Sequence, residues 1–222
     1  MMNQQTALIV GATGLVGRNC LDILLETKRY SRVVALVRRD LPMKHPRLTA
    51  HVIDFDRLEE SRALLKADDI FCCLGTTIKV AGSQDAFRNV DFSYPLDVAR
   101  IAREEGARQF LLVSSIGASA TSSVFYNRVK GELEEAIRKL GYPSAGIFRP
   151  SLILGDRGEF RRGEKIATVI MKVAGPLLAG PLRKYRGIQA RDIARGMVTI
   201  AERNPPGFTI YESDRIAAIA KG

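Results

Sequence analysis

Hydrophobic positions follow two alternating rhythms through the first part of the chain. Short runs that are apolar almost throughout, Thr6–Val10 (TALIV), Arg32–Val37 (RVVALV), His51–Ile53, Asp69–Leu74 (DIFCCL), Gln109–Ser114 (QFLLVS) and Ala145–Phe148 (AGIF), predict strands. Between them the apolar spacing turns helical, up to about Leu25, across most of Gln84–Glu105 and across Phe125–Leu140. A strand without polar alternation is buried on both faces, and strands of that kind separated by helices form a parallel sheet with helices on either side. The predicted class is therefore α/β, a doubly wound parallel sheet of the Rossmann type.

Beyond Arg149 the rhythm changes. Gly155–Arg162 (GDRGEFRR) reads as a polar loop, and Ile166–Leu182 (IATVIMKVAGPLLAGPL) as a partly buried helix running into a Pro/Gly loop. That segment has 17 residues and contains Lys172, Pro176 and Pro181. It falls short of the roughly 20 apolar residues that span a bilayer, so no membrane span is expected and peripheral contact stays open. Gln189–Ala201 has helical spacing at Ile193, Met197 and Ile200, Pro205-Pro206-Gly207 stops it, and Phe208–Tyr211 reads as a last strand. The economical organisation is one domain over residues 1–222, with 150–188 and 203–222 forming a small cap on the substrate side.

The chain has 222 residues, 46% hydrophobic and 26% charged, which excludes disordered, collagen-like and disulfide-scaffold classes. Lys plus Arg is 34 against 24 Asp plus Glu, a net charge of +10. The basic residues are scattered in pairs such as Arg38-Arg39, Arg161-Arg162 and Arg183-Lys184, so a solvated surface with some use in phosphate binding is expected, and no nucleic acid. Cys20 reads as core. Cys72 and Cys73 are neighbours in an apolar run, and free thiols fit a reducing compartment. The N-terminal MMNQQTALIVG shows no export pattern, so a cytoplasmic protein is expected. His45 and His51 have no metal-ligand spacing with the cysteines, and no metal is expected.

Gly11, Gly14 and Gly17 (GATGLVG) lie directly after the first strand and before the first helix. A pyrophosphate needs a turn where no side chain intrudes and a helix N-terminus with free amide donors. The segment predicts dinucleotide binding, with Gly11, Thr13, Gly14, Leu15 and Val16 at the phosphates. NAD binders carry an acidic residue at the end of the second strand, where this chain has Arg38-Arg39. Two guanidiniums suit a 2′-phosphate, so NADP (NADPH) is expected over NAD. Asp54-Phe55, after the third strand, is placed beside the adenine, or is simply a strand-end turn. Leu74-Gly75-Thr76, after the fourth, is placed beside the adenosine ribose and phosphates.

Tyr126 and Lys130 share one helix face, and Ser115 closes the fifth strand, with Ser114 beside it as the alternative hydroxyl. An ammonium beside a phenol favours the phenolate and makes a proton-transfer device. The order of glycine turn, strand-end hydroxyl and YxxxK resembles the short-chain dehydrogenase/reductase superfamily over residues 6–155. CCLGTT, AFRNVDFSYPLDVARIA and SSIGA followed by YNRVKGELE are most similar to the atypical subgroup containing the Tat-interacting-protein oxidoreductases. The resemblance implies Tyr126 as general acid/base, Lys130 on the nicotinamide ribose, and Ser115 on the substrate oxygen. It also places the backbone of Pro150, Ser151 and Leu152, in a run similar to RPxxxxG, along the nicotinamide ring.

Asp91 stands where extended members often carry Asn, and the 11-residue step from Ser115 to Tyr126 is shorter than in many relatives. The expected function is an NADP(H)-dependent oxidoreductase acting on a small-molecule carbonyl or alcohol. A redox-sensing NADPH-binding protein and a sugar-nucleotide epimerase remain as alternatives, and a homodimer is allowed by the superfamily's habit of pairing through helices.

Overall fold

A computed structural model of the protein describes residues 5–155 and 180–222. Strand β1 (Gln5–Val10) runs through the glycine turn into α1 (Leu15–Glu26), followed by β2 (Tyr30–Val37) and β3 (Leu48–Val52). A run of 3₁₀ turns (Phe55–Leu65) leads to β4 (Asp69–Cys72). Two short helices, α2 (Ile78–Ala81) and α3 (Gln84–Arg88), then pass through a π-helical turn (Asn89–Ser93) into α4 (Tyr94–Glu104). The chain continues with β5 (Gln109–Val113), α5 (Phe125–Lys139), β6 (Ser144–Arg149) and β7 (Ile153–Leu154). After a 3₁₀ turn (Gly180–Tyr185) come β8 (Ile188–Gln189), α6 (Ala190–Arg203), β9 (Gly207–Glu212) and α7 (Ser213–Lys221).

Seven strands form one parallel sheet in the order β3-β2-β1-β4-β5-β6-β9. Successive residues of each strand face opposite sides, so two separate cores form. Ala7, Ile9, Val33, Ala35, Phe71, Leu111 and Phe148 pack under α1, α6 and α7. Leu8, Val10, Val34, Leu36, Ile70, Phe110 and Ile147 pack under the 3₁₀ run, α4 and α5. Both faces being buried is the reason the sequence runs are apolar throughout.

The chain builds outward from β1 to β3 and then returns to place β4 on the other side of β1. The carboxyl ends of β1 and β4, paired through Val10 and Cys72, therefore flank the point where the winding reverses. In open α/β sheets the ligand crevice opens at that point.

Several boundaries differ from the sequence pattern. The third strand starts at Leu48 rather than His51, because its outer side is the sheet edge and its residues alternate polar and apolar. The helical stretch at Gln84–Glu105 is broken by the π turn, with Pro95 in the first turn of α4, where its missing N–H costs nothing. Residues 203–222, expected on the cap, supply β9 as an edge strand of the main sheet, and α7 places Ile216 in the core. The two-residue parallel pairing of β7 with β8 was not legible in the sequence. Arg161-Arg162 and the apolar segment up to residue 179 lie outside the described residues. No helix among the described residues is long and apolar enough to cross a membrane.

Candidate active site

The glycine turn is fixed by close backbone approach. Gly11 has φ +80°, and a Cβ there would stand 2.5 Å from the Cys73 carbonyl, so a side chain would push β1 and β4 apart. At Gly17 a Cβ would stand 2.1 Å from the Gly11 carbonyl oxygen, which only glycine allows on this first turn of α1. Gly14 caps α1, and its amide donates to the Gly11 carbonyl at 3.0 Å. The turn is thereby a backbone cradle aimed at the crevice.

Two adjoining cavities meet at this cradle and share, among others, Thr13, Gly14, Arg39, Leu74, Gly75 and Thr76. The narrower, about 490 Å³, extends over Gly11 to Arg38, Arg39, Phe55 and Tyr94. The Phe55 and Tyr94 rings stand 5.6 Å apart and form one wall. The Tyr94 hydroxyl donates to Asp56 at 2.6 Å, and burial followed by that carboxylate pushes the phenol up to about 12. Arg38 and Arg39 are exposed and make no ion pair among the described residues.

The wider cavity, about 890 Å³, runs over Leu15 and Val16 to Ser114, Tyr126, Lys130 and Ile153. Helix α5 turns two adjacent rows inward. Val129, Leu133 and Ile137 are buried, with Leu133 and Ile137 in the core under the sheet, while Tyr126, Lys130 and Glu134 run along the strand ends. Tyr126 is packed by the buried Phe87, with ring centroids 5.4 Å apart. At Gly131 a Cβ would stand 2.1 Å from the backbone of Ser119, so its absence lets the loop after β5 lie on α5.

Both charged members of the row are paired. Lys130 Nζ lies 2.8 Å from Asp91 Oδ1, with side chains only 4% and 1% exposed. The other Asp91 oxygen accepts from the Thr76 amide at 2.8 Å. Burial alone would disfavour the ammonium, but the Asp91 carboxylate, with Tyr126 adding, outweighs it and holds Lys130 above the ordinary lysine value. Glu134 receives both Arg149, through Nε at 3.0 Å and through the terminal nitrogen, and the hydroxyl of Ser114 at 2.5 Å. The single Ser114 hydrogen is committed to that carboxylate, so toward the cavity its oxygen can only accept.

The remaining expected residues are placed differently. Ser115 donates to the adjacent Ile116 carbonyl at 3.3 Å and is not on the wall of either cavity, which Ser114 reaches instead. Asp54 accepts from the Asp56 amide at 3.0 Å as the cap of the 3₁₀ run, also off the wall. Pro150, Ser151 and Leu152 have their backbones engaged with Ile116, Ser213 and Ile188, and Ile153 reaches the cavity in their place. Sequence reasoning did not single out Tyr94 or Glu134 for the site. The spacing of Glu134, two further turns along the Tyr126 face, was the available signal. Cys73 lines both cavities, whereas burial pushes the Cys72 thiol up to about 12, too high for a nucleophile at neutral pH.

The model of a family described as NAD(P)H-binding matches residues 11–141. Protein HTATIP2 of Rattus norvegicus is 37% identical over 170 residues, 75% of this chain and 70% of its own. Protein fmp52, mitochondrial, of Aspergillus clavatus is 36% identical over 215 residues, 94% of this chain and 92% of its own. The solved structure of MoeE5 in complex with UDP-glucose and NAD is similar in fold, with TM-score 0.71 at 14% identity, covering 97% of this chain and 80% of that one. The mitochondrial relatives correct the expectation of a cytoplasmic protein. The cysteine pattern that fitted a reducing compartment does not choose between the cytoplasm and other compartments.

Proposed function

The chain belongs to the NAD(P)H-binding family, in keeping with its resemblance to the atypical short-chain dehydrogenase/reductases, and from that premise we propose that it is an NADP(H)-dependent oxidoreductase acting on a small-molecule carbonyl or alcohol. One observation carries this reading. Arg38 and Arg39, which make no ion pair among the described residues, the glycine cradle and the Tyr126/Lys130 pair all face one continuous crevice.

The residues fit the cofactor. Gly11 and Gly14 leave backbone where a pyrophosphate needs it, and the α1 N-terminus supplies donors. Arg38 and Arg39 would hold the 2′-phosphate, Phe55 and Tyr94 would flank the adenine, and Leu74, Gly75 and Thr76 would line the adenosine ribose and phosphates, all of them on the cavity wall. When bound, the nicotinamide supplies or takes the hydride. Tyr126 gives or takes the proton at the substrate oxygen. Lys130 orders the ribose end of the site, and Leu15, Val16 and Ile153 exclude water around the reacting atoms. Of the two strand-end hydroxyls, Ser114 faces the substrate; Ser115 supports the loop.

The test is NADPH consumption against a panel of aldehydes and ketones, with the Tyr126→Phe protein beside the natural one. Tyr126-dependent consumption is the expected result. Consumption that survives the substitution unchanged would remove Tyr126 from the chemistry, and tight NADPH binding without any consumption would favour the redox-sensing alternative.

A further inference from the structure

Asp91 is the one acidic residue among the described residues lining the wider cavity, and it is wholly buried there. It sits on the π turn between α3 and α4, a departure from regular helix that carries the carboxylate toward the carboxyl end of β4. One oxygen holds the Lys130 ammonium and the other holds the Thr76 amide. A Cβ at Gly75 would lie 3.5 Å from Asp91 and 3.8 Å from Lys130, so this ion pair forms the floor under the loop that the two cavities share.

We propose that Asp91 is a positioning and charge-balancing residue: it locks Lys130 to the Leu74–Thr76 loop and offsets the positive charge that Lys130 would otherwise direct at Tyr126. The consequence is directional. A phenol beside a lone buried ammonium is drawn toward phenolate, a base; a phenol beside a neutralised pair keeps its hydrogen and serves as the acid that carbonyl reduction needs. This deepens the oxidoreductase reading and rests on it for the direction of reaction, whereas the charge balance itself does not depend on turnover.

The other groups around the pair leave Asp91 as its balancing charge. Cys72 and Cys73, at the end of β4, are free thiols pushed up by burial and, for Cys73 first of all, by a hydrogen bond with the Cys20 thiol, so neither is an anion at neutral pH. Glu134, next along α5, is taken by Arg149 from β6 and by Ser114. Arg18 and Arg39, also on the cavity wall, are cations and cannot neutralise Lys130.

The test is a carbon-13 NMR titration of Tyr126 and Lys130 in ligand-free protein, natural and Asp91→Asn. Asn keeps an acceptor for the Thr76 amide and puts an uncharged NH2 group in place of the oxygen that faces Lys130. Without the carboxylate, the pair must lose its first proton more readily, from the phenol next to an unbalanced ammonium or from the ammonium left buried without a partner. Both routes shift that first step down by about one pH unit or more. A folded Asp91→Asn protein that titrates like the natural one would overturn the proposal. Should the variant fail to fold, the natural protein still decides: Lys130 must remain protonated above the ordinary lysine value of 10.5, and titration at or below it would refute the charge balance. NADPH consumption in the natural protein judges the oxidoreductase reading separately.

Discussion

At the narrow end of the crevice Arg38 and Arg39 stand exposed with no ion pair among the described residues, whereas at the wide end Lys130, Glu134 and Arg149 each have a partner of opposite charge. The difference separates two uses of charge. An exposed guanidinium without a partner is cheaply solvated and available to a ligand phosphate. A buried charge without a partner is strongly unfavourable, so the buried charges at the wide end are paired and hold side chains in place, while Arg18 and Arg39 on its rim stay exposed. Substitutions at the narrow end should therefore act on affinity, and those at the wide end on chemistry and stability.

The largest expected effect is at the wide end. Tyr126→Phe should lower turnover by about 10²- to 10⁴-fold while leaving NADPH affinity nearly intact, as steady-state rates and fluorescence titration will show. Next, Glu134→Ala strips the partner from Arg149 and the acceptor from Ser114, and urea unfolding should show a loss of about 3 kcal/mol. At the narrow end, replacing Arg38 and Arg39 by Asp and Leu should weaken NADPH binding by about ten- to a hundredfold without weakening NADH binding. The same double substitution should move unfolding stability by no more than about 0.5 kcal/mol. A large stability loss there would break the contrast between the two ends.

The narrow end was the more legible in the sequence, for a physical reason. Glycine spacing and strand-end charge are local features, and Gly11, Gly14, Arg38 and Arg39 each lie next to a strand whose apolar run announces it. The wide end is assembled from pairs distant in the chain. Lys130 meets Asp91, and Glu134 meets both Ser114 and Arg149, and no short-range pattern encodes those meetings. The helix row exposed Tyr126 and Lys130, but the choice between Ser114 and Ser115 depends on which way β5 points each side chain as it leaves the sheet. The π turn that delivers Asp91 lies inside a segment whose spacing read as mostly helical. Likewise Asp54 has the composition of a ligand contact and the geometry of a cap, and only the hydrogen bond to the Asp56 amide distinguishes them.

The contrast between the ends converges on one ligand long enough to touch both. A crystal structure of the protein grown with NADP⁺ tests this most directly. The account predicts the 2′-phosphate between the Arg38 and Arg39 guanidiniums, the pyrophosphate over Gly11 and Gly14, and the nicotinamide ring beside the Tyr126 hydroxyl. A dinucleotide whose nicotinamide end turns away from Tyr126, or whose 2′-phosphate meets neither arginine, would contradict it.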